Sequence, residues 1–315
     1  MPDDRWNHVA DELARYAPGV HILGPRAGIN AVASLPPVLA SFYLQHNGAE
    51  LFHQTLVLRP ADKLERRGDR WLVGEIGRDE IWVDDADAVW RVESDSGDAI
   101  HEGTRFDRWL DGWIEAEGVL YATDGEFLDF AVEEHGEELT PAATLERERR
   151  AHKRDRKAAG PWWRLARALA RIGDPERARD ELEHLVAEHP RFAWAWFDLA
   201  RLSEQLGQTE GAIDEARAAA EADPDYEHAP YFYAYAAKLA AAANDEPQRA
   251  ELAARALAAD PDLARTQREA ATTTLAEGNP DTARELLHIT LALTPRDLEA
   301  LALLKKLDES PPVTR

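Results

Sequence analysis

A self-similarity with a period of 34 residues constrains this chain more than any other feature. The stretch starting at Trp162, WWRLARALARIGDPERARDELEHLVAEHP, aligns with the one starting at Trp196, WFDLARLSEQLGQTEGAIDEARAAAEADP. Trp162 falls on Trp196, Leu165 on Leu199, Ala166 on Ala200, Gly173 on Gly207, Ala178 on Ala212 and Pro190 on Pro224. A fixed period of this length means one helix-pair unit repeated in line, because a single unit cannot bury its own apolar face. The small alanines let two helices approach closely. The glycine adopts backbone angles that a side chain opposes after a helix end. The proline cannot continue the helix it follows. A further unit ends at Pro295, with Gly278, Ala283 and Leu287 in place. The unit before it is irregular: Pro224 to Pro261 spans 37 residues, and the AAAANDEPQ stretch is expected to hold the extra ones. Upstream, PAATLERERRAHKRD (141–155) reads as a lone second helix. Downstream, RDLEALALLKKLDE (296–309) reads as a capping helix with a polar outer side.

This order of residues resembles the tetratricopeptide repeat: an aromatic, a Leu and a small residue on the first helix, Gly in the turn, Ala on the second helix and Pro at the break. The resemblance implies an all-α solenoid with a concave surface, lined by first-helix residues that do not pack the core. In this register those residues are Trp163, Arg167 and Arg171, then Trp194, Phe197 and Arg201, then Tyr231, Tyr235 and Lys238. Within each helix they lie three or four apart and share a face. Aromatic and basic groups together suit an extended peptide bearing carboxylates, including a free C-terminus. The same aromatics equally suit the helix-packing core, since several repeats are short of large core residues.

The first half reads as an α+β domain, mainly an antiparallel sheet with packed helices. DDRWNHVADELARYAP places Trp6, Val9, Ala10, Leu13 and Tyr16 at helical spacing. PPVLASFYLQHN is a second helix, with Pro36 or Pro37 in the first turn, where a missing N–H costs nothing. The segments LFHQTLVL (51–58), RWLVGEI (70–76), DEIWVD (79–84) and DAVWRVE (87–93) read as strands, the last two a hairpin around the acidic turn Asp84–Asp87. Thr104 with Asp107 predicts a capping-box start to a helix striped by Phe106, Trp109, Leu110, Trp113 and Ile114. The expected division is residues 1–138 for this domain and 139–315 for the array, with LYATDGEFLDFAVEEHGEELTP (120–141) as the linker.

Several of these motifs recur in a recognisable order. Leu35-Pro36 precedes a helix bearing Phe42-Tyr43, and Asn47-Gly48 ends it. Gly74, Ile76 and Gly77 then precede a strand with Asp79 and Asp84, a Val-Trp-rich strand follows, and GTRFDRWL opens a closing helix. Over about residues 1–120 this order resembles the SUKH superfamily, which includes fungal cell-wall-synthesis regulators and bacterial immunity proteins. The resemblance implies a non-enzymatic domain with a ligand groove on its sheet. For bacterial members it implies neutralisation of a toxin encoded nearby. Fusion to a repeat array departs from the plain immunity form and raises a scaffold or regulator acting mainly through the repeat groove.

Charge points the same way. The formal net charge is −23, and residues 1–138 carry 29 acidic against 12 basic side chains. Such a surface repels nucleic acid and anionic lipid and draws in a basic partner, as a toxin domain would be. The densest acidic cluster is Asp79, Glu80, Asp84, Asp85 and Asp87, the candidate partner surface. No basic patch with interleaved aromatics is expected on this domain, so no nucleic-acid partner is expected. No run of about 18 apolar residues predicts a membrane span, and the N-terminus lacks the apolar stretch of a secretory signal, so the cytoplasm is the expected location. Cysteine is absent, which removes disulfides and thiol nucleophiles. The histidines show no metal-ligand spacing, and no GxSxG, GxGxxG or GxxxxGK[ST] occurs. No cofactor, metal or enzymatic activity is expected. One rival of another class stands: a metal-dependent hydrolase built on Asp79–Asp87.

Overall fold

The computed structural model describes residues 5–133 and 138–309. The chain divides into two compact units, Met1–Glu181 and Leu182–Arg315.

The first unit contains α1 (Arg5–Leu13), β1 (Ile22–Leu23), α2 (Ile29–Val32), α3 (Pro37–Tyr43), β2 (Ala49–Leu51), β3 (Leu56–Leu58), β4 (Glu65–Arg67), β5 (Arg70–Ile76), β6 (Asp79–Asp84), β7 (Val89–Val92), β8 (Ala99–Gly103), α4 (Phe106–Gly118), α5 (Pro141–Arg154) and α6 (Ala159–Arg171). The sheet is antiparallel in the order β1-β2-β3-β5-β6-β7-β8, with β4 paired to β5. Its core centres on Trp6, Phe42 and Phe106, all fully buried, with edge-to-face ring contacts at 5.2 and 5.5 Å through Phe42. The indole of Trp6 donates to Ser41 Oγ at 2.8 Å, so its polar edge is satisfied inside the core.

The stretch LFHQTLVL is not one strand. It is the turn and second strand of a hairpin, with Phe52, His53 and Gln54 all in left-handed conformation at φ 47, 53 and 69°. Left-handed backbone costs about 1–2 kcal/mol per non-glycine residue. Burial of Phe52 against Tyr16 and Tyr121 offsets it, as do hydrogen bonds from Phe52 N–H to His21 Nδ1 at 3.1 Å and from Thr55 Oγ1 to Phe52 O at 2.6 Å.

Helix α3 starts at a proline pair, so it brings no capping side chain of its own. Its first free N–H groups, on Val38 and Leu39, donate instead to the Asp87 carboxylate at 3.3 and 3.1 Å. Asp87 is buried in the β6–β7 turn at φ +66°, an angle that Asp tolerates better than most residues. The predicted capping box of α4 does not form either. Thr104 donates both its N–H and its hydroxyl to Asp155, at 2.6 and 2.7 Å. Part of the expected linker is folded in: Ala17 N–H donates to Thr123 O at 2.6 Å, and Tyr121 stacks on Phe127. Residues 134–137 of it lie outside the described residues.

The helix α7 (Pro175–Glu188) follows α6 in the chain. The second unit then holds α8 (Ala193–Gln205), α9 (Thr209–Ala222), α10 (Ala229–Ala242), α11 (Glu246–Ala259), α12 (Leu263–Ala276), α13 (Pro280–Leu293) and α14 (Leu298–Glu309). Each intra-pair turn carries one left-handed residue: Gly173, Gly207, Asn244 and Gly278, at φ 84, 77, 59 and 85°. Asn244 therefore takes the glycine position of the irregular repeat, and Asp245 caps α11 by accepting from Gln248 N–H at 3.0 Å. The NDEP turn is thus of ordinary length. The extra residues lie in the longer loop before α10, at Asp223–His228, and not in AAAANDEPQ as the spacing suggested. There Tyr226 takes a hydrogen bond from the Trp194 indole at 2.6 Å.

The fourth pair also departs from the period. α10 packs against α9, α11 and α13, whereas α11 barely touches α12. Composition explains the order. α12, LARTQREAATTTLA, buries only Leu263, Ala264 and Ala271. α13, PDTARELLHITLAL, has two apolar faces: Ile289, Ala292 and Leu293 join the core of α10, and Ala283 and Leu287 join that of α14. The helix able to bury two faces takes the central place. The outer side of α14 is not wholly polar, since Leu298 and Leu301 are 79% and 43% exposed.

Asp87→Ala is expected to destabilise the first unit by about 1–2 kcal/mol through loss of the α3 cap, and by more than Asp87→Asn. Urea midpoints followed by tryptophan fluorescence would show it; equal midpoints would refute the cap. Asn244→Ala should cost about 1 kcal/mol, and Asn244→Gly should be neutral or slightly stabilising, read from thermal melts.

Candidate functional site

The nine groove candidates fall into three groups. Trp163, Phe197 and Tyr235 are buried and pack helices together. Trp194, Tyr231 and Lys238 are half-buried, and Arg167, Arg171 and Arg201 are exposed. In the first unit Arg167 lies with its guanidinium 4.7 Å from the centre of the Trp163 ring.

In the second unit α8, α10 and α13 bring one cluster together. The rings of Phe197 and Tyr231 meet at 5.6 Å, and those of Phe197 and Tyr235 at 4.9 Å. Lys238 sits 4.1 Å over the Tyr235 ring. Its ammonium donates to Glu204 at 2.8 Å and lies 3.8 Å from Glu285 of α13. Tyr235 donates its hydroxyl to the same Glu204. Burial and the carboxylates of Glu204 and Glu285 push the Tyr235 phenol well up. Burial and Glu285 push that of Tyr231 to about 12, so both hydroxyls keep their protons at neutral pH. Arg201 makes no ion pair among the described residues, although Glu285, Tyr235, Tyr231 and Asp198 all act on it through their charge. The cluster therefore offers an open guanidinium beside a phenol donor on an aromatic floor, with one lysine already engaged. Sequence spacing found Arg201, Tyr231 and Lys238 but missed Glu204 and Glu285, because Glu285 comes from a helix that the period places elsewhere.

The acidic candidates are separated by their partners. Asp79 accepts from Arg91 Nε at 2.7 Å and Ser94 N–H at 3.0 Å. Glu80 accepts from the Trp82 indole at 3.0 Å. Asp84 closes its own turn, accepting from Ala86 and Ala88 N–H at 2.9 Å and from the Trp90 indole at 3.0 Å. Asp85 pairs with Arg66 at 2.9 Å, and Asp87 caps α3. Among the described residues no group of three or more His, Cys, Asp or Glu could hold a metal ion. The motif residues are structural in the same sense. Pro36 stands at the N-cap of α3, beside Leu35. Asn47 accepts from Ala61 N–H at 2.7 Å, Gly48 and Gly77 have positive φ, and a Cβ on Gly74 would lie 2.1 Å from Val57 O.

One pattern escaped the linear reading. Trp82 and Trp90 are directly paired across β6 and β7. Arg67 lies 5.1 Å over Trp82, Arg70 4.3 Å over Trp90, and His101 5.1 Å from Trp90. Strand alternation brings residues far apart in sequence onto one side. Basic and aromatic side chains therefore interleave on this domain. Glu80 and Asp84 interleave with them, so the stripe is balanced in charge.

A buried ionic cluster joins β8, α5 and α6. Arg164 grips Glu102 with two bonds of 2.6 and 2.7 Å and donates to Glu148 at 3.0 Å. Arg147 holds the other oxygen of Glu148 at 2.8 Å. Gly160 makes room, since a Cβ there would lie 2.4 Å from Glu102 Oε1. Burial would raise the Glu148 carboxyl, but Arg164 and Arg147 outweigh it and hold it below its ordinary value. Burial raises nearby Glu117, against the pull of Arg147. A surface depression of about 370 Å³ between α1, α4 and α5 includes Tyr16, Ile114 and Phe130, and its rim acids Glu12, Glu115 and Glu146 are each paired with an arginine. No helix among the described residues is long and apolar enough to cross a membrane.

Removing one partner of a buried ion pair strands the others, so Arg164→Met should cost about 3–5 kcal/mol. Glu148, with its lowered pKa, stabilises the fold above its unfolded value, and that contribution is lost as pH falls through the folded value. Glu117 has the opposite sign: its raised pKa means that ionisation weakens the fold as pH rises. Glu117→Gln should therefore raise the urea midpoint at pH 7 and leave it unchanged near pH 3; an unchanged midpoint at pH 7 would contradict this.

Residues 159–202 match the tetratricopeptide repeat family. No curated protein matches the chain. Among solved structures the chain is similar to MamA, at 16% identity and a TM-score of 0.37, over 54% of this chain and 92% of that one. It is similar to TTC0263, a thermophilic tetratricopeptide-repeat protein of Thermus thermophilus, at 20% identity and a TM-score of 0.34, over 53% of this chain and 90% of that one. It is also similar to Pseudomonas aeruginosa pilF, at 17% identity and a TM-score of 0.37, over 53% and 74% of the two chains. The chain is an antiparallel sheet with packed helices, followed by a solenoid of tetratricopeptide-like helix pairs.

Proposed function

We propose that this is a non-enzymatic, cytoplasmic protein-interaction protein whose helix-pair array takes a carboxylate-bearing peptide segment of a partner. The observation that carries the reading is Arg201, exposed, without an ion pair among the described residues, beside the protonated phenol of Tyr231. A guanidinium and a phenol side by side present the donors that a carboxylate needs, and the half-buried ring of Tyr231, seated on Phe197, gives apolar contact next to it. The N-terminal sheet is a second binding surface of SUKH-like kind. Its excess of acidic residues suits a basic partner, and neutralisation of a basic toxin domain is the finer form of this reading.

Arg201→Glu should lower recovery of the array's partner at least about tenfold in affinity purification with mass spectrometry, with circular dichroism unchanged because the side chain is exposed. Equal recovery by wild type, Arg201→Glu and Tyr231→Phe would refute the array reading. For the sheet, co-purification with neighbouring gene products should yield a basic domain whose binding weakens as salt rises; a salt-independent complex would speak against it.

A further inference from the structure

We propose that Glu285 is a built-in competitor for the partner's carboxylate, so that the array carries its own low-affinity stand-in for an acidic ligand. The inference rests on the reading of the α8–α10 surface as a peptide site, and it adds how that site is held when empty.

Three observations carry it. First, Glu285 belongs to α13, the helix that lies along α10 where a regular period would put α12. The regular part of the array brings Glu204 on α8, already bonded to Lys238 and Tyr235; the refitted fourth pair adds Glu285. Second, Glu285 acts through its charge on several groups of the cluster. It contributes to the fields at Arg201, Tyr231 and Tyr235 and lies 3.8 Å from the Lys238 ammonium. Third, it is held loosely. Lys238 is closer to Glu204, at 2.8 Å, and the Glu285 side chain keeps 31% of its surface. α13 itself is fixed further along by Ile289, Ala292 and Leu293, so Glu285 can turn away without the helix leaving α10. A carboxylate that neutralises a cationic site without a tight bond lowers that site's attraction for any incoming carboxylate. The occupant that displaces it is a partner segment with at least one acidic side chain or a free C-terminus.

The probe is a fluorescein-labelled peptide of eight glutamates with a free C-terminus, titrated by anisotropy against the full chain at low salt. Glu285→Gln should bind it about tenfold more tightly than wild type, and the gain should shrink as salt rises. Glu210→Gln, an exposed neutralisation on α9, should change binding less than twofold, which separates a local effect from net charge. Adding Arg201→Ala to Glu285→Gln should remove the gain. If Glu285→Gln binds no better than wild type, or no better than Glu210→Gln, the competitor is overturned. Should partner recovery still depend on Arg201 in that case, the peptide-site reading stands without it. If recovery is indifferent to Arg201, that reading fails as well.

Discussion

One guanidinium organises the first unit. Arg164 holds Glu102 of β8 and Glu148 of α5 at the same time, and Arg147 completes the neutralisation. Two buried carboxylates without it would be strongly unfavourable; with it they become a geometric lock. The consequences spread outward. Gly160 must lack a side chain, α6 must lie close to β8, and Glu102 can stand inside a strand that pattern reading passes over. Nearby, Asp155 engages Thr104, so the entry to α4 is fixed by α5 as well. Helices α5 and α6 thereby belong with the sheet in one compact unit.

The same logic, a group borrowed from far along the chain, recurs elsewhere in that unit. The proline start of α3 needs a cap that its own neighbours cannot supply, and Asp87 provides it across the sheet. Carboxylates that look like a surface patch in sequence are therefore divided among a helix cap, a turn, an arginine pair and two indoles. Their charge remains, but their geometry is committed to the fold.

In the second unit the periodic elements are obeyed and the periodic packing is not. A left-handed residue recurs in every intra-pair turn there, glycine twice and asparagine once, because the turn geometry demands positive φ and not a particular side chain. The place of α13 follows a different rule. Apolar area decides which helix sits centrally, and α12 has too little. That choice brings Glu285 to the basic-aromatic cluster and sets the electrostatics of the candidate site.

Local chemistry made much of this legible in advance. The strands 70–76 and 79–84, the helix around Phe106–Ile114 and the array's helices with their turns follow from alternation, helical spacing and the 34-residue period, all of which act over a few residues. Sequence by itself also marked Arg201, Tyr231 and Lys238 as sharing a surface. What it left open depends on contacts between residues far apart. The hairpin at Phe52–Gln54 rests on His21, the α3 cap on Asp87, the fate of Trp163, Phe197 and Tyr235 on neighbouring helices, and the acid in the cluster on α13. A side chain's identity states which bonds it can make. Only the folded chain, by bringing distant partners within hydrogen-bond range and excluding water around them, decides which of those bonds are made.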